Sequence, residues 1–144
     1  MLKVNNLNVF YGNVQVLRDV SFEVKKGEVV SIIGANGAGK TTTLNTISGL
    51  LKPASGTVEF LGERIEGLPP YMIIRKGIAQ IPEGRKVFPR LTVLENLRMG
   101  SYVPEARKKR KETLRLVFDL FPRLEERKKQ LAGTLSGGER QMLA

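Results

Sequence analysis

Apolar and polar positions alternate along two segments near the N-terminus of the chain. Residues 2–11 (LKVNNLNVFY) alternate in part, and residues 20–24 (VSFEV) alternate without interruption. A period of two is typical of a strand with one buried face, so both segments are predicted to be strands. The inward-facing candidates in the first strand are Leu2, Val4, Leu7 and Val9.

A continuous apolar run follows a predicted turn at residues 25–28 (KKGE). Residues 29–33 (VVSII) are mostly β-branched, which is typical of a strand covered on both faces, and they lead directly into Gly34. The spacing of apolar residues after Lys40 predicts a helix. Further short elements are predicted as a strand at 57–61, a helix at 71–76 and a strand at 78–81.

The second half of the chain has helical patterns. Residues 92–95 (TVLE) form a capping-box pattern, which predicts a helix from there to about residue 100. Residues 105–121 carry one apolar stripe and predict an amphipathic helix. Residues 136–139 (SGGE) are a second capping-box pattern. Because the chain stops at Ala144, about two turns into that helix, we expect it to be cut inside an element, with a C-terminal part missing.

Composition excludes several kinds of chemistry. A chain of 144 residues with 41% hydrophobic residues is long enough for one domain with a real core. It has no cysteine and no histidine, which rules out disulfides, thiolate metal sites and histidine-based triads or zinc sites. No apolar run is long enough to span a membrane, and the N-terminus lacks the long apolar stretch of a signal peptide. We therefore expect a cytoplasmic protein.

The positive charge is unevenly distributed. The formal charge is +10, and residues 105–129 hold ten Lys/Arg and five Asp/Glu, a local net of +5. A basic protein can bind nucleic acid. A solvated charged face on a helix explains the excess more simply, so no nucleic-acid partner is expected.

A phosphate-binding loop is the most specific feature. Residues 34–41 (GANGAGKT) match G-x-x-x-x-G-K-[ST] in full, between a predicted strand and a predicted helix. Glycines allow main-chain N–H groups to face an anion, the lysine adds a charge, and the threonine hydroxyl can bind Mg²⁺. The alternative is a turn that only joins two elements. The expected ligand is ATP with Mg²⁺, and the expected binding residues are Gly34, Asn36, Gly37, Ala38, Gly39, Lys40, Thr41 and Thr42.

A second motif selects among phosphate-loop proteins. Residues 135–141 (LSGGERQ) resemble the LSGGQ signature of ATP-binding cassette (ABC) ATPases. The resemblance implies an α/β fold: a phosphate-loop NTPase core with an antiparallel β subdomain and a helical insertion. It also implies a head-to-tail dimer, in which the signature of one subunit closes on the nucleotide held by the other. The residues that would act in this way across the dimer are Ser136, Gly137, Gly138 and Glu139.

The same resemblance assigns further residues. Tyr11 falls in the family's aromatic loop, where it would stack on adenine, and Val16 would line that pocket. Glu83 stands where most of the family has the Q-loop glutamine, which senses Mg²⁺ and the attacking water. It is therefore the candidate catalytic residue and, with Thr41, a candidate metal ligand.

The subfamily follows from longer stretches. Residues 82–97 and 135–144 resemble the ATPase subunit of importers for branched-chain amino acids. This implies an ATP-driven motor, peripheral on the inner face of the cell membrane, with integral permease subunits as partners and a substrate-binding protein as an indirect one. Residues 83–100 would receive a helix of the permease. The implied division is a core with the β subdomain over about 1–91 and a helical subdomain over about 92–140.

The sequence also gives an expectation for catalytic activity, and two alternative functions stay open. The family's Asp-Glu strand end and its switch histidine do not occur in these 144 residues. The chain alone is therefore expected to bind nucleotide weakly, hydrolyse it negligibly and expose apolar sheet edges. One rival is a soluble ABC protein acting in translation or DNA repair. The other is a fragment that holds nucleotide without chemistry.

Overall fold

The computed structural model describes all residues from 1 to 144, and they form two compact units. The first unit comprises residues 1–80 and the second comprises residues 81–144. Each unit has its own hydrophobic core. The functional division expected near residue 91 stays a prediction.

The first unit is built on a four-stranded antiparallel sheet. Its strands are β1 (Leu2–Tyr11), β2 (Val14–Val24), β3 (Ser55–Phe60) and β4 (Glu63–Arg64), in the order β2-β1-β3-β4. The central strand β1 pairs with both β2 and β3. The strand predicted at residues 2–11 is confirmed, and the strand predicted at 20–24 is the end of β2.

One face of this sheet carries the core of the first unit. The alternation predicted for β1 is correct at Val4, Leu7 and Val9, which are all at most 1% exposed. Two helices belong to the unit, α1 (Lys40–Ile47) and α2 (Pro70–Lys76). The buried residues of this core are Val4, Leu7, Val9, Leu17, Ile47, Val58 and Ile65.

Two predicted strands do not form. Residues 29–33 run without ladder hydrogen bonds, and Val29 and Ile33 are 94% and 93% exposed. Residues 78–81 are also outside any strand. A strand exists only through its hydrogen-bonded neighbours. No other segment of the chain pairs with either run, and the sheet of the first unit is antiparallel throughout.

The second unit is helical. It contains α3 (Val93–Gly100), α4 (Pro104–Leu120), α5 (Pro122–Glu126), a 3-10 turn (Ala132–Thr134) and α6 (Gly137–Leu143). The helices predicted from residue 92, over 105–121 and from residue 136 are therefore confirmed. The buried core residues are Val93, Leu124, Ala132, Leu135 and Leu143.

The predicted combination of an antiparallel β part with a helical part is confirmed for the α/β fold. The helices at residues 93–120 and 137–143 lie in the second unit, and the antiparallel sheet lies in the first. None of the helices combines the length and the apolar character needed to cross a bilayer.

Candidate nucleotide-binding site

The phosphate loop is exposed and held open by two left-handed glycines. Residues 28–38 are all exposed, and a turn hydrogen bond joins the Ala38 N–H to the Ala35 carbonyl at 3.1 Å. Gly37 and Gly39 have φ of +86° and +87°. A side chain disfavours this backbone region, so glycine is required at both positions. The loop therefore presents its main chain to solvent just before α1.

Strand β2 packs against the end of the phosphate loop at Gly39. Gly39 is buried, and a Cβ added to it would overlap Leu17 Cδ2 and lie 3.4 Å from the Val16 carbonyl oxygen. Gly39 also caps α1, whose first bond runs from the Thr43 N–H to the Gly39 carbonyl at 2.8 Å. The close approach to β2 fixes where α1 begins. It leaves the amides of the first helical turn without intrahelical partners.

Lys40 is folded back over the loop. Its Nζ donates to the carbonyl oxygens of Gly34 and Ala35, both at 2.8 Å. An ammonium group has three donors. Two of these N–H donors bond to loop carbonyls, so the third is available to an anion. The two hydrogen bonds also fix the position of the positive charge.

The threonines of α1 have different surroundings. Thr43 Oγ1 donates to the Gly39 carbonyl at 3.0 Å, and Thr46 Oγ1 donates to the Thr42 carbonyl at 2.8 Å. Thr41 is exposed, whereas Thr42 is only 7% exposed. Thr41 is thus the threonine whose hydroxyl is free for a metal ion or its water, which fits Mg²⁺. A contribution of Thr42 to phosphate binding stays a prediction.

The adenine residues expected from the sequence lie on one hairpin. Tyr11 ends β1 and is 47% exposed, and it pairs with Val14 across a two-residue turn. Val16 lies on β2, beside Gly39. The structure therefore brings Val16 to the phosphate loop and places Tyr11 at the tip of the strand pair that supports the loop.

The signature segment belongs to the second unit, as the capped start of α6. The Ser136 hydroxyl accepts from the Glu139 N–H at 3.3 Å, and a carboxylate oxygen of Glu139 accepts from the Ser136 N–H at 2.9 Å. This is a complete capping box. Leu135 and Leu143, 4% and 8% exposed, anchor the segment in the core.

The carboxylate of Glu139 is held within its own unit by a hydrogen bond and an ion pair. Its Oε1 lies 2.8 Å from Arg127 Nε. The backbone hydrogen bond from Ser136, then the Ser136 hydroxyl and then the charge of Arg127 lower the pKa of Glu139 below its ordinary value. Glu139 therefore positions Ser136, and any contact that it makes with a nucleotide stays a proposal.

The capping box predicts a response to acid. The folded-state pKa of Glu139 lies below the ordinary 4.5, so its stabilising contribution is present above that value and is lost as the pH falls through the lowered pKa. We expect the α6 amides to exchange faster in that range, as measured by amide hydrogen exchange. In Glu139→Gln the acid step should vanish. Ser136→Ala should weaken α6 by about 1 kcal/mol at neutral pH. An acid step that persisted in Glu139→Gln would contradict this.

Glu83 and the signature glycines share the second unit. Glu83 is exposed in a turn that contains Gly84 at φ +90°. A methyl group added to Gly138 would have no atom within 4 Å, whereas one added to Gly137 would lie 2.8 Å from a terminal nitrogen of Arg85. Gly137 is therefore covered by the chain itself, and Gly138 is open.

Three supporting residues were missed by sequence reasoning. Leu17 forms the floor under Gly39, Arg85 covers Gly137, and the buried Asn96 holds the loop before α3. Arg85 directly follows the Glu83-Gly84 pair, which could have drawn attention to it. Leu17 and Asn96 carry no signal beyond their place in a strand and a helix.

Comparison with known proteins identifies the family of the chain. Residues 17–144 match the family model described as ABC transporter. The phosphate loop and signature together define a cassette ATPase fold, and the chain belongs to the ABC transporter family. It is 53% identical over its whole length to BraG of Pseudomonas aeruginosa, a high-affinity branched-chain amino acid transport ATP-binding protein, and covers 61% of that protein.

Solved structures show the same fold. An ATP-binding subunit of an ABC transporter matches 99% of this chain with a TM-score of 0.84 and 36% identity, and the chain covers 59% of it. An ATP-binding cassette solved as a dimer in a post-hydrolysis state with ADP and Pi matches 99% with a TM-score of 0.75 and 29% identity, and the chain covers 66% of it. The chain thus spans about three fifths of the length of the proteins that it resembles.

Proposed function

We propose that the chain is the nucleotide-binding part of an ATP-driven motor subunit of an ABC importer for branched-chain amino acids. The observation that carries the proposal is the exposed phosphate loop with the Lys40 ammonium held over the Gly34 and Ala35 carbonyls. The importer assignment is supported by the likeness to BraG over every residue of the chain. Substrate, activity and partners of the whole protein rest on that likeness.

The loop's own groups account for phosphate binding. The third donor of Lys40 meets the outer phosphate oxygens, and the amides at the start of α1 meet the inner ones. Thr41 offers its hydroxyl to Mg²⁺, which neutralises part of the phosphate charge. Tyr11 and Val16 are proposed to contact adenine from the β1–β2 hairpin.

A second subunit is proposed to complete the site. Gly138 has free space at the start of α6, and the Ser136 cap fixes that helix end. In the proposed head-to-tail dimer this end closes on the nucleotide of the partner. The relative solved as a dimer with ADP and Pi supports the arrangement. Glu83 is proposed to sense the metal or attacking water, and residues 83–100 to meet a membrane permease at the inner face of the cell membrane.

A second candidate is nucleotide binding without hydrolysis. The chain holds no histidine and no Asp-Glu pair after the signature segment, the groups that the family uses to orient water and contact the γ-phosphate. We propose that turnover depends on such residues outside these 144. Binding through the loop needs none of them.

Calorimetric titration with magnesium-ATP, followed by a phosphate-release assay, tests both candidates. The 144-residue chain should bind magnesium-ATP and release phosphate negligibly. The same chain continued with the remaining C-terminal part of BraG should bind and turn over. Equal phosphate release by both forms would reject the second candidate. An absence of binding heat in both forms would reject the nucleotide-binding proposal itself.

A further inference from the structure

Arg85 joins two parts of the second unit that are far apart in sequence. Its Nε donates to Oε1 of Gln141 at 3.2 Å, 56 residues along the chain. Its terminal nitrogen occupies the space that a side chain at Gly137 would need. A single guanidinium group therefore contacts the first and second turns of α6.

The backbone at Arg85 is unusual for a residue with a side chain. Arg85 has φ of +54°, directly after Gly84 at +90°. Non-glycine residues rarely adopt this region, and they do so at a cost that the surroundings must offset. The strain is local to the turn that carries Glu83. It accompanies the contact of the arginine with α6.

The two signature glycines differ in what they need. Neither Gly137 nor Gly138 has a positive φ. Gly138 has open space, but Gly137 is covered by Arg85. The missing side chain at Gly137 is therefore explained by the arginine and not by the backbone conformation. Because the obstacle is the end of a flexible side chain, Gly137→Ala would displace Arg85 rather than break the helix.

The loop that begins with the Glu83 turn is fixed at its other end, just before α3. The buried Asn96 accepts from the Phe88 N–H at 2.8 Å and donates to the carbonyl oxygens of Phe88 and Thr92 at 3.1 and 2.9 Å. The Gly133 N–H donates to the Pro89 carbonyl at 3.0 Å. With its distal end held, the Glu83 turn contacts α6 through Arg85.

We propose that Arg85 is a positioning residue, which sets the signature segment 136–138 relative to the turn that carries Glu83. The proposal rests on the proposed function, since it gives the signature its role toward the partner subunit. Arg85 acts through the first turn of α6 and does not itself hold the reacting phosphate. A change at Glu83 would in this way reach the surface that meets the partner subunit.

Amide hydrogen exchange in a double-mutant cycle tests the contact in the 144-residue chain. Arg85→Ala should speed exchange of the α6 amides about threefold to tenfold, because a coupled contact is lost. Gly137→Ala should speed exchange of the α6 amides to the same extent. The double variant should exchange no faster than either single variant. Arg85→Lys should not restore the slow exchange of the parent, because lysine lacks the planar guanidinium group. Lys86→Ala, at the exposed neighbouring residue, should match the parent. Unchanged α6 exchange in Arg85→Ala, or effects that multiply, would overturn the proposal.

A concentration series separates positioning from simple stabilisation. In the chain continued with the C-terminal part of BraG, Arg85→Ala should raise the protein concentration for half-maximal ATPase activity about threefold to tenfold. A variant that was only less stable would lose maximal rate without moving that midpoint, and this result would also overturn the proposal. Absent magnesium-ATP binding by the parent would reject the proposed function instead, while the exchange cycle would still decide the Arg85 contact.

Discussion

Lys40→Ala is expected to weaken magnesium-ATP binding about a hundredfold. The ammonium lies over the loop through two 2.8 Å hydrogen bonds, so its charge is already in place when a phosphate arrives. Hydrogen bonds to charged groups contribute about 1.5–3 kcal/mol each, and the loss of about 3 kcal/mol corresponds to about two decades in Kd. Isothermal titration calorimetry of the purified variants gives this ratio directly.

The matched control is Lys26→Ala. Lys26 is an exposed lysine of the same unit, in the turn after β2. It removes the same formal charge, so any general effect of lower positive charge on ATP binding appears in it as well. We expect its Kd to stay within about twofold of the parent, because exposed charges interact weakly through solvent. Similar losses in both variants would mean that the loop is not the binding site.

Most of the candidate site could be predicted because its residues are neighbours in sequence. Residues 34–41 follow one another, so one match to a pattern places the lysine, the glycines and the threonine together. The capping box at Ser136 and Glu139 is local in the same sense, and the structure has both of its hydrogen bonds. Local chemistry of this kind needs no knowledge of the remaining fold.

The wrong predictions concern features that depend on a segment distant in sequence. Residues 29–33 have strong strand propensity, but a strand requires a partner, and none pairs with them in this chain. Leu44, one of the apolar residues after Lys40 whose spacing predicts a helix, is 48% exposed. The buried side of α1 instead uses threonines, whose hydroxyls donate to carbonyls of the preceding turn. Hydrophobic spacing alone cannot reveal a buried hydroxyl that has found a partner.

Contacts between non-local residues were invisible for the same reason. Leu17 and Gly39 meet because β2 runs under the loop, and Arg85 and Gly137 meet because a loop returns to a helix. Each glycine could be explained locally as a flexible residue. The structure shows that Gly39 is also needed for space beside Leu17, and that a side chain at Gly137 would displace Arg85.

Gly39→Ala should destabilise the first unit by about 2–5 kcal/mol. A left-handed alanine costs about 1–2 kcal/mol, and overlap of the new methyl with the buried Leu17 adds about 1–3 kcal/mol. Because Gly39 also caps α1, the displacement re-aims the Lys40 and Thr41 amides, and ATP affinity should fall with stability. Urea denaturation and calorimetry on one preparation measure the two effects.

Gly37→Ala is the control that separates the backbone part of this destabilisation from the part caused by overlap with Leu17. Gly37 has nearly the same φ, +86° against +87°, but no atom lies within 4 Å of the added methyl. It should therefore show only the backbone part, about 1–2 kcal/mol. Adding Leu17→Ala to Gly39→Ala should cost less than the sum of the two single changes, by about 1 kcal/mol, because the cavity accepts the methyl. Equal destabilisation by Gly37→Ala and Gly39→Ala, with strict additivity at Leu17, would show that β2 does not position the phosphate loop through this contact.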